Sequence, residues 1–432
     1  MTAEIAILNK SAVALAADSA VTIQVAGGQK IYNTVNKLFT LSKFQPVGAM
    51  VYGGADFMAV PWESIIKEYR RALKQTRYRT LREYADAFVE WLSTAKLLFP
   101  EDIEQQIFHG NITGYFQQLK EEVNKRVAKL IHSKEAVDDA RIRAVVKELV
   151  SEQQQRFLSL PRLPAARQTF EEEFLRRHTA KVNEIRKSVF QELPVTAEDA
   201  VSLAQAVGAF YCRDYFGPST SGLVIAGFGV DDIFPSLIHL AIETLLDGQL
   251  KWKEVEVATI DHFTNNATII PFAQREMVDT FLSGIDPTYK NTVLNALDGI
   301  LRALTKEIFG AIPDATLPNK SQIITALGER IPELISTFNQ NLEAYSRSRH
   351  IAPILNAVAA LPKDDLAAMA ESLVNLTSFK RRISTDAETV GGQIDVAVIS
   401  KGDGFIWIKR KHYFDAGKNP QFTANYYQDE KS

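Results

Sequence analysis

The chain has 432 residues, 46% of them hydrophobic and 23% charged, with a formal net charge of -3. That length exceeds one ordinary core and predicts two or three domains, or one domain with large insertions. The charge balance gives no reason to expect a nucleic-acid partner. The single cysteine, Cys212, excludes an intramolecular disulfide and a cysteine-rich metal site. The seven scattered histidines form no HExxH or close pair, so no zinc site is expected.

The first residues are apolar, but Glu4 precedes the run and Asp18 interrupts it, unlike a signal peptide. No stretch reaches the roughly 18 apolar residues of a membrane span. A soluble, cytoplasmic protein is expected.

Residues 3–8 (AEIAIL) and 12–17 (AVALAA) read as a hairpin, with Asn9, Lys10 and Ser11 in the turn. Their continuous apolar character predicts burial on both faces. Strands at 37–41 (KLFTL) and 47–52 (VGAMVY) follow, so four strands precede any helix. From Pro61 the period changes: Ile65, Ile66, Tyr69, Ala72 and Leu73 share a helix face. Thr80 and Glu83 form a capping-box pattern before a second helix. Residues 101–195 are charged and helical, split by Pro161 and Pro164. They read as helices packing on one another or, more sharply, as a partner-binding arm.

A helix begins at Thr196. Strands return at 221–230, 235–244 and 254–260. Residues 276–362 are helical with Pro and Gly breaks, and a helix near 363–382 leads to a closing strand pair at 391–400 and 404–411. No strand cluster is large enough to fold alone. The three are expected to combine into one sandwich core, with the helices layered outside or inserted.

Three places could carry chemistry. Thr2 follows the start methionine, and removal of Met1 would leave a hydroxyl and a free α-amine on one residue. That amine, with a reference pKa near 7.7–8.0, can take the hydroxyl's proton at neutral pH. A small second residue is also simply common. Asp18 sits among Ala14, Leu15, Ala16, Ala17, Ala20 and Val21, where a carboxylate needs a partner. Lys37 is the candidate. Such a pair would hold a lysine beside the nucleophile, unless both side chains lie exposed at strand ends. Gly53 follows a strand, where its N–H could face an oxyanion, or where Gly53-Gly54 is only a turn. There is no GxSxG or P-loop, GFGVDD (227–232) lacks the third glycine of a dinucleotide fingerprint, and Cys212 reads as a buried structural thiol.

Together, TAEIAILNKSAVALAADSAVT, NKLFTL and VGAMVYGG resemble the start of proteasome β-subunits and their bacterial relatives, which are N-terminal-nucleophile (Ntn) hydrolases. Thr2, Asp18, Lys37 and Gly53 fall on the family's positions in order, with a loop-sized excess of about three residues before Lys37. The stretch GGQIDVAVIS is similar to the family's closing strand. The Asp and Ser that precede it there have Asp386 and Thr389 as nearest equivalents, with one extra residue and a Thr for Ser. LVIAGFG and PSLIHLAIE resemble the central strand pair. In the following PFAQREMV the family's second supporting Ser is missing, and Gln274 is nearest.

The resemblance implies an α+β fold, a four-layer αββα Ntn-hydrolase sandwich with two large helical insertions. Core segments are 1–97, 196–275 and 363–432, the last including a C-terminal tail; the insertions are 98–195 and 276–362. It also implies a threonine-type peptidase or amidohydrolase without a cofactor, acting on a peptide or other amide. A homo-oligomer other than a plain seven-fold ring is expected, with an ATP-dependent unfoldase as a further candidate partner. The alternative is a non-catalytic scaffold subunit whose helical insertions bind a partner.

Overall fold

The computed structural model describes residues 3–25, 28–133, 137–313, 317, 319–383, 391–412, 414–421 and 424. Strands β1 (Ala3–Asn9), β2 (Val13–Ala17), β3 (Val21–Val25), β4 (Gly28–Tyr32), β5 (Leu38–Thr40), β6 (Val47–Gly53), β7 (Asp56–Phe57) and β8 (Val60–Pro61) come first. Helices α1 (Trp62–Leu73), α2 (Leu81–Thr94), α3 (Glu101–His132), α4 (Asp139–Ser159), α5 (Phe170–Phe190) and α6 (Ala197–Cys212) follow. Then come β9 (Ser221–Gly227), β10 (Ser236–Leu246), β11 (Gln249–Thr259) and β12 (Ala267–Ala273). Helices α7 (Glu276–Ser283), α8 (Pro287–Gly310), α9 (Lys320–Ser346), α10 (Ala352–Ala360) and α11 (Lys363–Ile383) lead to β13 (Asp395–Ser400) and β14 (Gly404–Lys409). The fold is mixed α+β with antiparallel sheets.

The chain divides into two compact units. The first comprises Met1–Leu38, Ile233–Ser236 and Ala258–Ser432; the second comprises Phe39–Asp232 and Leu237–Val257.

The first unit is built on a five-stranded sheet in the order β12-β1-β2-β13-β14. Every residue of β1 and β2 is buried, as the two-faced apolar runs predict. Alternation decides which residues meet the helices. Ala3, Ile5 and Ile7 of β1, with Ala14 and Ala16 of β2, share a core with Leu366, Ala370, Leu373 and Val374 of α11. Alanine is a weak strand former, but here small side chains let α11 lie close to β1 and β2. The β1–β2 turn is fixed by Asn9. Its Oδ1 accepts from Ser11 and Ala12 N–H at 2.9 and 3.2 Å, and its Nδ2 donates to the carbonyls of Val358 and Leu361 at 3.0 Å each. One side chain thus shapes the hairpin and satisfies carbonyls at the end of α10.

The second unit carries the sheet β11-β10-β9-β6-β5. Its helical layer is α1 and α2, whose Ile65, Tyr69, Tyr84 and Phe88 share a core with Val47, Ala49, Leu223, Ile225 and Leu240. Ala72, expected on the α1 face, is exposed. At the start of α2, Thr80 Oγ1 accepts from Glu83 N–H at 3.3 Å; Glu83 returns its bond to Arg79 N–H at 2.8 Å, not to Thr80. Helices α3 to α6 pack on one another around Phe108, Phe116, Phe170, Phe174, Val182 and Leu203, so the charges of 101–195 are the solvated faces of a helical bundle.

Several strand elements depart from expectation. The hairpin β3–β4 and the short pair β7–β8 also precede α1. β10 and β11 meet at a two-residue turn, Asp247-Gly248, with φ of 52° and 70°. Positive φ at both central residues suits a tight hairpin. β12, missed among the predicted strands, forms the sheet edge against β1.

Candidate functional site

Asp18 follows directly on β2, and Lys37 precedes β5 by one residue. The structure brings them together. Lys37 Nζ lies 2.5 Å from Asp18 Oδ1, with side-chain exposures of 5% and 0%. The two are therefore not solvated strand-end charges.

The carboxylate takes three more donors, all from the backbone. Ala3 N–H donates to Oδ1 at 3.2 Å; Ala20 and Gly391 N–H donate to Oδ2 at 3.3 and 3.0 Å. Each oxygen thus accepts two donors, which fills the roughly four lone-pair sites of an ionised carboxylate. A buried charge this fully paired offsets much of its desolvation cost.

Around this carboxylate the backbone returns the contacts. Asp18 N–H donates to the Ala3 carbonyl and Ser19 N–H to the Gly391 carbonyl, both at 3.1 Å. Val35 N–H donates to the Ser19 carbonyl at 3.1 Å, and Ser19 Oγ donates to the Gln393 carbonyl. Gly392 adopts φ of +79°, and a β-carbon there would stand 2.7 Å from the Asn33 carbonyl oxygen. The start of β1, residues 33–37 and the strand entry at 391–393 therefore converge on Asp18 and Ser19.

No family model, curated protein or solved structure matches this chain.

Thr2, Asp386 and Thr389 lie outside the described residues, but the neighbours of two of them are placed. Ala3, next to Thr2, hydrogen-bonds to Asp18. Gly391, two residues after Thr389, does the same. Gln274 is buried, and its Oε1 accepts from Arg381 Nε at 2.8 Å.

Gly53 belongs to the second compact unit. It closes β6 with φ of +83°, and an added β-carbon would stand 2.6 Å from the Thr220 carbonyl oxygen. Glycine is required there by the backbone and its neighbour alone.

Cys212 is buried in the bundle and donates to Glu171 Oε1 at 3.2 Å. Burial, then the bond to Glu171, pushes its thiol up to about 12, so at neutral pH it is a poor nucleophile.

The sequence reading missed a second buried ion pair, Lys251–Glu243, at 2.5 Å with exposures of 0% and 2%. Lys251 Nζ also lies 3.7 Å from the centre of the Phe210 ring. The signal available was a lysine inside the strand LKWKEVEV, opposite a glutamate inside LAIETLL. By the period of two, Lys251 and Lys253 share one face of β11, so alternation alone did not mark Lys251 as the buried one.

Among the described residues no helix is long and apolar enough to cross a membrane.

Proposed function

We propose that this chain is an N-terminal threonine amide hydrolase, a proteasome-like peptidase acting by acyl transfer through Thr2 once Met1 is removed. The observation that carries the reading is the buried Asp18–Lys37 pair, hydrogen-bonded to the residue next to Thr2. A lysine ammonium fixed by a carboxylate lowers the pKa of a neighbouring hydroxyl and favours the neutral form of a neighbouring amine. An ammonium has three N–H donors, so one on Asp18 leaves two for this work.

In this mechanism the Thr2 hydroxyl attacks the amide carbonyl and its proton passes to the α-amine. A backbone N–H stabilises the oxyanion. The protonated amine then delivers its proton to the leaving amine, the C–N bond breaks, and an ester to Thr2 remains. Water, deprotonated by the same amine, attacks the ester and frees Thr2. Asp386 and Thr389 orient the α-amine. The fold of this reading is the four-layer αββα Ntn sandwich. Each sheet packing a helical layer against one face supports it. In this reading the chain is a cytoplasmic homo-oligomer with a peptide or other amide as substrate and an ATP-dependent unfoldase as a partner. The test is cleavage of fluorogenic peptide amides by wild type, Thr2→Ala and Lys37→Ala. Activity lost in both variants supports the reading; activity retained in Thr2→Ala overturns it.

A second reading has its own support. Asp18 ties three chain segments together through backbone hydrogen bonds, a role that needs no chemistry. In addition, α8 and α9 leave Tyr289, Ile300, Leu334 and Tyr345 exposed. In that reading the chain is a non-catalytic, proteasome-like scaffold whose helical insertions bind a partner. Retention of Met1 in the intact mass favours it.

A further inference from the structure

The second compact unit holds a cavity of about 450 Å³ between α3, α4, α6 and the segment that follows α6. Aromatic side chains dominate its wall: Tyr115, Phe157, Phe210, Tyr211 and Tyr215. Two glycines of α3, Gly110 and Gly114, line it one turn apart. A glycine inside a helix weakens it, because its backbone gives up more freedom on folding. A β-carbon at either position would meet no atom within 4 Å. Close packing therefore requires neither glycine, and together they leave the cavity open.

Its polar groups are unequally engaged. Glu243 is engaged on both oxygens: Lys251 Nζ stands 2.5 Å from Oε2, and Gly217 N–H donates to Oε1 at 2.7 Å. Glu122 receives Arg126 Nε at 3.2 Å. The Tyr115 hydroxyl, in contrast, is buried with no hydrogen-bond partner among the described residues. The Arg156 guanidinium lies over the rings of Phe157 and Tyr215, at 5.7 and 5.3 Å. It makes no salt bridge to a described residue, and its charge acts on the Tyr115 phenol. The Arg156 side chain is exposed and hydrated, so the need lies with the buried Tyr115 hydroxyl; an anionic oxygen reaching both would satisfy that donor and gain a charge-assisted bond to the guanidinium.

We propose that this cavity binds an organic anion with an aromatic body and a single carboxylate or sulfonate. The rings lie against the aromatic wall, and the anionic oxygen sits between the Arg156 guanidinium and the Tyr115 hydroxyl. The volume falls in the range of small-molecule sites.

The test is a fluorescence titration of the full chain with 8-anilinonaphthalene-1-sulfonate, beside neutral N-phenyl-1-naphthylamine. Wild type is expected to bind the sulfonate saturably at one site and more tightly than the neutral amine. Arg156→Gln, at an exposed position, should weaken sulfonate binding by about tenfold and leave the neutral probe unaffected. Gly114→Leu should abolish binding of both probes without lowering the unfolding temperature, since leucine is the better helix former. Absence of saturable sulfonate binding, equal sulfonate affinity in Arg156→Gln, or unchanged binding in a folded Gly114→Leu overturns the proposal. Should Gly114→Leu fail to fold, the Arg156→Gln comparison decides alone.

Discussion

Ala3 and Asp18 hold each other by two hydrogen bonds: Ala3 N–H to Asp18 Oδ1 at 3.2 Å, and Asp18 N–H to the Ala3 carbonyl at 3.1 Å. The same Oδ1 carries the Lys37 ammonium. The start of the first strand and a buried cation are thereby fixed to one carboxylate. Any role for Lys37 near the chain's beginning depends on that carboxylate first.

Removing the Asp18 charge alone should strand a buried ammonium. Asp18→Asn is expected to destabilise the fold by about 3–5 kcal/mol. Lys37→Met on that background should recover part of the loss, because no unpaired charge remains. A double-mutant cycle by urea unfolding measures this, with a favourable coupling energy expected between the two residues. Additive effects would mean that the pair contributes nothing as a pair.

His178 Nε2 lies 2.9 Å from Asp247 Oδ2, and both side chains are largely buried. The bond to His178, with Arg177 near by, holds the Asp247 carboxyl below its usual range. A carboxyl depressed in the folded state contributes stability fully present above its unfolded value, near pH 4, and lost as pH falls through its folded value. Replacing His178 with Gln should raise the folded value of Asp247 and shrink that acid-dependent loss. Urea unfolding between pH 2.5 and 6 reads it out. The variant's stability should change less with pH over the acid limb than wild type's; identical slopes would contradict the assignment.

Native Cys212 should resist modification. With its thiol pushed up to about 12 and its side chain buried, reaction with a disulfide reagent at pH 8 is expected to be slow in the folded chain and complete only on unfolding. Rapid labelling of the folded protein would show the bundle to be open there.

Much of the core was legible in the chain because burial leaves a period. Continuous apolar runs gave β1 and β2, the helical stripe gave α1, and Asp18 announced a partner by being a charge among alanines. Lys37 was a candidate partner from its place at the head of KLFTL, and the family resemblance put both residues on matching positions. β3–β4 was missed although Val21, Ile23 and Val25 alternate with Thr22 and Gln24 as in a strand, because each run is only five residues long. β12 was missed because ATIIPFA contains a proline, which is tolerated at the sheet edge it occupies. The Asp247-Gly248 turn was present in the sequence as a two-residue hairpin signal and fixes where β10 ends. The hub on Ser19 and Gly391 could not be read at all, because backbone hydrogen bonds between distant segments leave no periodic trace.

The central claim is that the working chain begins at Thr2 and that its hydroxyl is the nucleophile. Intact-mass spectrometry after incubation with a peptide epoxyketone tests it most directly. The account predicts a chain lacking Met1 that gains one inhibitor mass, and no gain in Thr2→Ala. A chain that keeps Met1, or an adduct that persists in Thr2→Ala, would contradict it.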